Sequence, residues 1–260
     1  MSRPVIHFAH ANGFPARTYS RIFALLEDEF RIGYLERHGH DPRFPVTDNW
    51  KHLRDELRAE IEKRYTEKIV GVGHSLGGVL HFLVAVERPE LYRKIILLDA
   101  PIISRLSSHS LRILKLTRLI DRLTPAQLTR FRRNHWASRP EAFDHFKQKP
   151  KFDAFDEGVL RDYVEFGTIE TANGFELFFE PKIEAKIYRT IPHHLPGFRG
   201  RLRVPTVYVG GTRSREGELA RLSFMKKHFP IEFEQIEGSH LFPFEKPELT
   251  AQIIKKHANR

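Results

Sequence analysis

The chain contains no cysteine among its 260 residues, which excludes disulfides, thiolate catalysis and cysteine-based zinc sites. It also lacks any run of about 18 apolar residues, so no transmembrane helix is expected. Met1-Ser2-Arg3-Pro4 leads straight into an apolar strand pattern without the h-region of a signal peptide, which makes the cytoplasm the expected compartment. Acidic residues are the scarcer charge: 33 Asp and Glu face 43 Lys and Arg, a formal net charge of +10. A basic balance of this size fits an anionic partner, yet no five consecutive residues are all Lys or Arg. The excess therefore reads as a scattered, solvated surface, and no nucleic-acid partner is expected.

What is present suffices for a core. Hydrophobic residues make up 40% of the chain and 21 are Phe, which argues against global disorder. The length suits one domain, or one domain with a sizeable insertion.

Short apolar runs alternate with helical spacing through the first hundred residues. Strands are expected at 4–9, 32–35, 69–72 and 94–98, with a helix carrying Tyr19, Ile22, Phe23 and Leu26 and another carrying Leu53, Leu57 and Ile61. Thr47 or Asp48 is the expected cap of the second helix. The alternation stops after residue 101 and returns at Pro205–Gly211, followed by a helix over about 216–228, a strand at 231–236 and a final helix from Pro247 to His257. Such alternation implies right-handed crossovers and a parallel sheet. Residues 102–200 show helical pieces rich in Arg, Leu and Phe and no convincing buried strand. The expected organisation is a core of 1–101 and 201–260 interrupted by a helical insertion, 102–200.

The informative stretch is Lys68–Leu80. An apolar strand (Ile69, Val70, Val72) runs into Gly73-His74-Ser75-Leu76-Gly77, and an apolar helix follows to Val86. Gly-x-Ser-x-Gly in a strand–turn–helix context holds the serine hydroxyl clear of the backbone, at the positive end of a helix. Small residues two positions either side are required by crowding at the turn.

These residues resemble the α/β-hydrolase superfamily, and the resemblance covers nearly the whole chain. It implies an α/β-hydrolase fold: a mostly parallel sheet of about six strands flanked by helices, with 102–200 inserted as a helical cap over the active site. The first strand already leads into the His10-Ala11-Asn12-Gly13-Phe14 loop, whereas family members usually have two strands ahead of it, so the sheet is expected to be trimmed to six. By the family's order of nucleophile, acid and base, Ser75 is the expected nucleophile and His240, in Gly238-Ser239-His240, the base. The usual acid position past Gly210 holds Thr212-Arg213-Ser214 instead, leaving two readings: Asp99 at the tip of the preceding core strand, or Glu216 or Glu218 from the displaced loop. Two backbone N–H groups would form the oxyanion hole, one at Leu76 and one at Asn12, with Ala11 the adjacent alternative. His74 reads as a packing residue beside the nucleophile.

Neither a cofactor nor a metal is called for by these motifs. The expected activity is cofactor-free cleavage of a carboxylic ester of modest size by a Ser–His–acid triad, with a small acyl compound as substrate. Two alternatives remain: another acyl bond (thioester, amide or carbon–carbon), or a binding protein that keeps the pocket without turnover. Epoxide and haloalkane chemistry is disfavoured, because the relatives performing it place an aspartate where Ser75 stands. Leu111, Ile113, Leu114, Leu116, Leu119 and Ile120, interleaved with Arg112, Lys115, Arg118 and Arg122, are expected to pack against the core, to line an acyl pocket or to graze an anionic membrane. The oligomeric state is left open.

Overall fold

The computed structural model describes residues 3–117 and 119–260, with no account of the Leu123 side chain; Met1, Ser2 and Arg118 lie outside the described residues. Six strands form one sheet: β1 (Val5–Ala9), β2 (Arg31–Tyr34), β3 (Ile69–His74), β4 (Tyr92–Leu98) and, after a long excursion, Thr206–Gly211 and Ile231–Ile236. The excursion carries β5 (His135–Trp136), β6 (Thr168–Thr171) and β7 (Gly174–Leu177), so the last two core strands are β8 and β9. The core order is β2-β1-β3-β4-β8-β9, and every neighbouring pair is parallel.

The inner strands are rich in buried apolar residues because both faces of the sheet are covered, whereas the edge strands β2 and β9 carry exposed polar residues. Strand periodicity sorts them. Ile6, Phe8, Val70, Val72, Ile96 and Leu98 join one buried cluster, and Val5, Ile69, Ile95, Leu97 and Tyr208 join the other. Ser20–Leu26 and Pro247–Ala258 cover the first face with Ile22, Phe23, Leu26 and Ile254. Lys51–Arg64 and the helix α3 (Leu76–Glu87) cover the second with Leu53, Leu57, Ile61, Leu80 and Leu83.

Several local expectations need correction. Thr47 makes no side-chain cap; a short 3₁₀ turn, Asp48–Trp50, leads into the helix, and Asn49 and Trp50 take positive φ. The single helix expected over 216–228 is two, Arg215–Ala220 and Leu222–His228, broken at Arg221 with φ 58°. The segment between β4 and β8 is not purely helical: β5, β7 and β6 form a small antiparallel sheet. Its strands are short and partly exposed, so they carry no apolar run; the available signal was Asn173-Gly174, where β6 turns into β7 and Gly174 takes φ 126°.

The run at 106–120 departs furthest from an ordinary packed helix. Arg105–Leu116 has no fully buried residue; Leu106, Ile113 and Leu116 face solvent, and only Ile120 beyond it is buried. It therefore neither packs fully on the core nor lines a dry interior pocket. Among the described residues, no helix is long and apolar enough to cross a membrane.

Five of the six buried histidines among the described residues, His7, His10, His38, His74 and His81, are held neutral. Burial is the leading cause in each case, lowering His38, His74 and His81 to about 3. A base whose pKa falls on folding contributes stability that is whole above its unfolded value and is lost as pH drops below that value. Stability should therefore decline from about pH 6.5 downwards, by up to about 1.4 kcal/mol per pH unit for each such histidine. Urea melts at stepped pH between 8 and 4 should show this, and His81→Leu should make the acid limb shallower.

Candidate active site

The corner between β3 and α3 places Ser75. Its backbone sits at φ 52°, ψ −113°, a conformation that side chains avoid and that surrounding contacts must impose. Those contacts are close. A Cβ on Gly77 would come within 2.0 Å of the Ala9 carbonyl oxygen, and one on Gly73 within 2.4 Å of the Gly77 backbone. The Ser75 N–H donates to the Leu98 carbonyl at 2.9 Å, tying the corner to the end of β4.

The end of β4 delivers Asp99, fully buried and also at positive φ (44°). The loop after β9 delivers His240. Ser75 Oγ lies 3.0 Å from His240 Nε2, and His240 Nδ1 lies 2.6 Å from Asp99 Oδ2. With Nδ1–H donating to the carboxylate, Nε2 is left to accept the serine proton. Glu216 is more distant, its Oε2 3.7 Å from the same Nδ1, and half exposed. Glu218 is exposed on the same short helix and makes no hydrogen bond to His240 among the described residues.

Asp99 is buried without being orphaned. Tyr208 donates its hydroxyl to Oδ1 at 2.9 Å, Ser214 donates to Oδ2, and the Gly211 N–H approaches Oδ1 at 3.4 Å. Burial alone would raise its pKa; hydrogen bonding and charge from His240, then the bonds from Ser214 and Tyr208, outweigh it and hold the carboxyl below the ordinary aspartate range. Tyr208 shifts upward through burial and the Asp99 charge, as a committed donor should. Ser214 thus occupies the loop of the family's usual acid position and supplies a hydroxyl to the carboxylate of the neighbouring strand. Neither Tyr208 nor Ser214 was found from sequence, because a strand tyrosine and a helix-capping serine carry no motif.

His74 does more than pack. Its Nε2 lies 2.9 Å from the His240 carbonyl, so it donates there, and its Nδ1 accepts from Tyr19 Oη at 2.7 Å. Tyr19 Oη in turn accepts the Ala11 N–H at 3.2 Å. One hydrogen-bonded chain therefore links the loop after β1 to the backbone of His240, and it occupies the Ala11 N–H. Among the described residues the Asn12 N–H has no protein acceptor, and Leu76 opens α3, where first-turn N–H groups lack helical partners. The Asn12 side chain turns away, with Nδ2 donating to the Glu184 carbonyl at 3.1 Å. Glu184, buried and ion-paired with Arg132 at 2.6 Å, presses on Gly13 so closely that a Cβ there would meet its carboxylate at 2.5 Å. These charged contacts bring the segment between β4 and β8 against the β1 loop, across sequence distances that no local pattern reveals.

Asp99, Glu216 and His240 each offer a ligand atom, all within 4.8 Å of one another, but His240 Nδ1 and Asp99 Oδ2 already bond each other. The set behaves as a hydrogen-bonded acid–base unit rather than an open cation cage. Two cavities, of about 480 and 280 Å³, are lined by none of Ser75, Asp99 and His240.

The alpha/beta hydrolase family model matches residues 8–253. The chain belongs to this family. Epoxide hydrolase 4 of Mus musculus is 25% identical over 97% of the chain and 72% of its own length, and the Homo sapiens protein 24% over 97% and 71%. Among solved structures, E-2-(acetamidomethylene)succinate hydrolase superposes with a TM-score of 0.78 at 18% identity, covering all of this chain and 92% of that one. The peroxisomal alpha-beta-hydrolase Lpx1 from Saccharomyces cerevisiae gives 0.74 at 20% identity, with 98% and 76% covered. At these identities the solved structures show the fold alone. The six-stranded sheet agrees with a family member trimmed ahead of its first loop.

Tyr208→Phe removes one donor from Asp99 while keeping the ring. A carboxyl whose pKa is lowered on folding contributes stability that is present above its unfolded value and vanishes as pH falls through its folded value. The substitution should therefore destabilise the protein by about 1–2 kcal/mol at pH 7 and by progressively less in acid, a difference read from paired urea melts at pH 7 and pH 4.

Proposed function

We propose that this family member is a serine hydrolase that cleaves carboxylic esters through an acyl-enzyme. The observation that carries the reading is the unbroken line Ser75 Oγ–His240–Asp99, at 3.0 and 2.6 Å. Ser75 attacks the ester carbonyl while its proton passes to His240 Nε2. Asp99 holds the imidazole in the required tautomer and balances the imidazolium, steadied by Tyr208 and Ser214. The Leu76 and Asn12 N–H groups receive the developing oxyanion. Collapse expels the alcohol, which takes the proton from His240; a water deprotonated by the same imidazole then releases the acid. In this reading Asp99 is the acid rather than Glu216, and residues 102–200 act as the cap over the site.

The epoxide hydrolases among the relatives do not transfer their printed activity to this chain. Opening an epoxide with a serine oxygen would leave an ether, which water does not cleave under these conditions, whereas an attacked ester carbonyl gives an acyl-serine that water does cleave.

A fluorophosphonate probe should label the wild type and leave Ser75→Ala unlabelled; equal labelling of both would end the proposal. Release of nitrophenol from short acyl esters should fall by about 10³-fold in His240→Ala. Ligand-induced thermal stabilisation without any hydrolysis would favour a binding protein instead.

A further inference from the structure

The segment between β4 and β8 leaves an apolar stripe of one of its helices uncovered. On Arg105–Leu116 the inward side carries half-buried Leu111 and Leu114 together with polar groups held by specific bonds: Ser108 donates to the His193 carbonyl, Lys115 to the Ile191 carbonyl at 3.0 Å, and Ser107 to the Leu219 carbonyl at 3.3 Å. Leu106, Ile113 and Leu116 share the outward stripe by their spacing of seven and three, and they are 58, 59 and 77% exposed. Exposed Leu119, Leu128 and Phe131 continue the apolar surface along the chain. A soluble surface rarely keeps so many large side chains uncovered within one short segment.

The charge around this patch says what covers it. Residues 105–133 contain eight Lys or Arg and a single acid, Asp121, although Arg132 and Arg133 are paired with Glu184 and Glu141 from outside the segment. Asp121 is taken by Arg189, at 2.6 and 2.8 Å. The cavity of about 480 Å³ opens at the foot of the stripe, bounded by exposed Leu116 and lined by Arg112, Lys115, Arg189 and His193 together with Asp48 and Asn49. Lys115 is paired with Asp48, while Arg112 has no ion pair among the described residues. An apolar stripe flanked by arginines, with a cationic hollow at its edge, is the combination that seats in the headgroup boundary of a bilayer.

We propose that the face carried by residues 105–131 docks on an anionic phospholipid membrane, with Ile113 and Leu116 entering the acyl boundary and Arg112 meeting a lipid phosphate at the mouth of the cavity. This is peripheral binding and does not depend on the hydrolytic assignment.

Sedimentation with vesicles tests it. The protein should pellet at low salt with phosphatidylcholine vesicles containing about one-third phosphatidylglycerol and stay in solution with pure phosphatidylcholine, since each basic group near an anionic surface adds about fivefold to binding. Added salt should release it. Ile113→Glu with Leu116→Glu should weaken binding by about a hundredfold, and Arg112→Glu by about tenfold. Circular dichroism and thermal melting check that the variants fold; Ile113→Ser with Leu116→Ser is the milder pair if the charged one does not. No binding to the anionic vesicles, or binding unchanged by either pair, overturns the proposal. So does concentration-dependent self-association of the free protein that the same substitutions abolish without any vesicle binding, which would make a second copy the occupant.

Discussion

The crossing of α3 over the ends of β1 and β3 is the constraint on which the other features depend. Backbone meets backbone there at distances that admit no side chain: Gly77 lies against the Ala9 carbonyl and Gly73 against the first turn of α3, while Gly78 lies against the Ala100 methyl group. Pressing the helix this close forces Ser75 into its positive-φ corner and aims the hydroxyl outward. It also fixes the spacing between the β1 loop and the first turn of α3, the two places from which free N–H groups would converge on one oxygen. A small shift of the helix would displace the Ser75 hydroxyl and these N–H groups together.

A second layer of polar contacts holds what the corner presents. Asp99 keeps its charge in a fully buried position because three protein donors besides His240 converge on it. His74, neutral through burial, connects Tyr19 and the β1 loop to the His240 backbone. Both arrangements place strong hydrogen bonds in low-dielectric surroundings, where an unmade bond is expensive and a made one is stiff. The result is an imidazole whose ring orientation and tautomer are set before any ligand arrives.

The segment between β4 and β8 follows a different logic. Its inner contacts are charged or polar: Glu184 with Arg132 and Asn12, Lys115 with Asp48, Ser108 with the 193 carbonyl. Such contacts attach it to the hydrolase core without covering Leu106, Ile113 and Leu116, which leaves the apolar stripe of Arg105–Leu116 on the outside. Apolar residues at helical spacing define a face but not the direction in which it points; here hydrogen bonds to carbonyls decided the direction.

From the sequence alone, the alternating α/β order, the parallel six-stranded sheet and the strand–serine–helix corner were legible, because each rests on local periodicity or on glycines that a tight turn demands. The sequence left open which carboxylate faces His240, and it gave no hint of Tyr208, Ser214 or Tyr19, whose roles come from neighbours more than fifty residues away in the chain. The small β5–β7 sheet and the outward stripe were decided by tertiary structure as well. Local pattern records what a segment is able to bury, while the partner it meets is set by where the sheet and its crossovers bring distant atoms together.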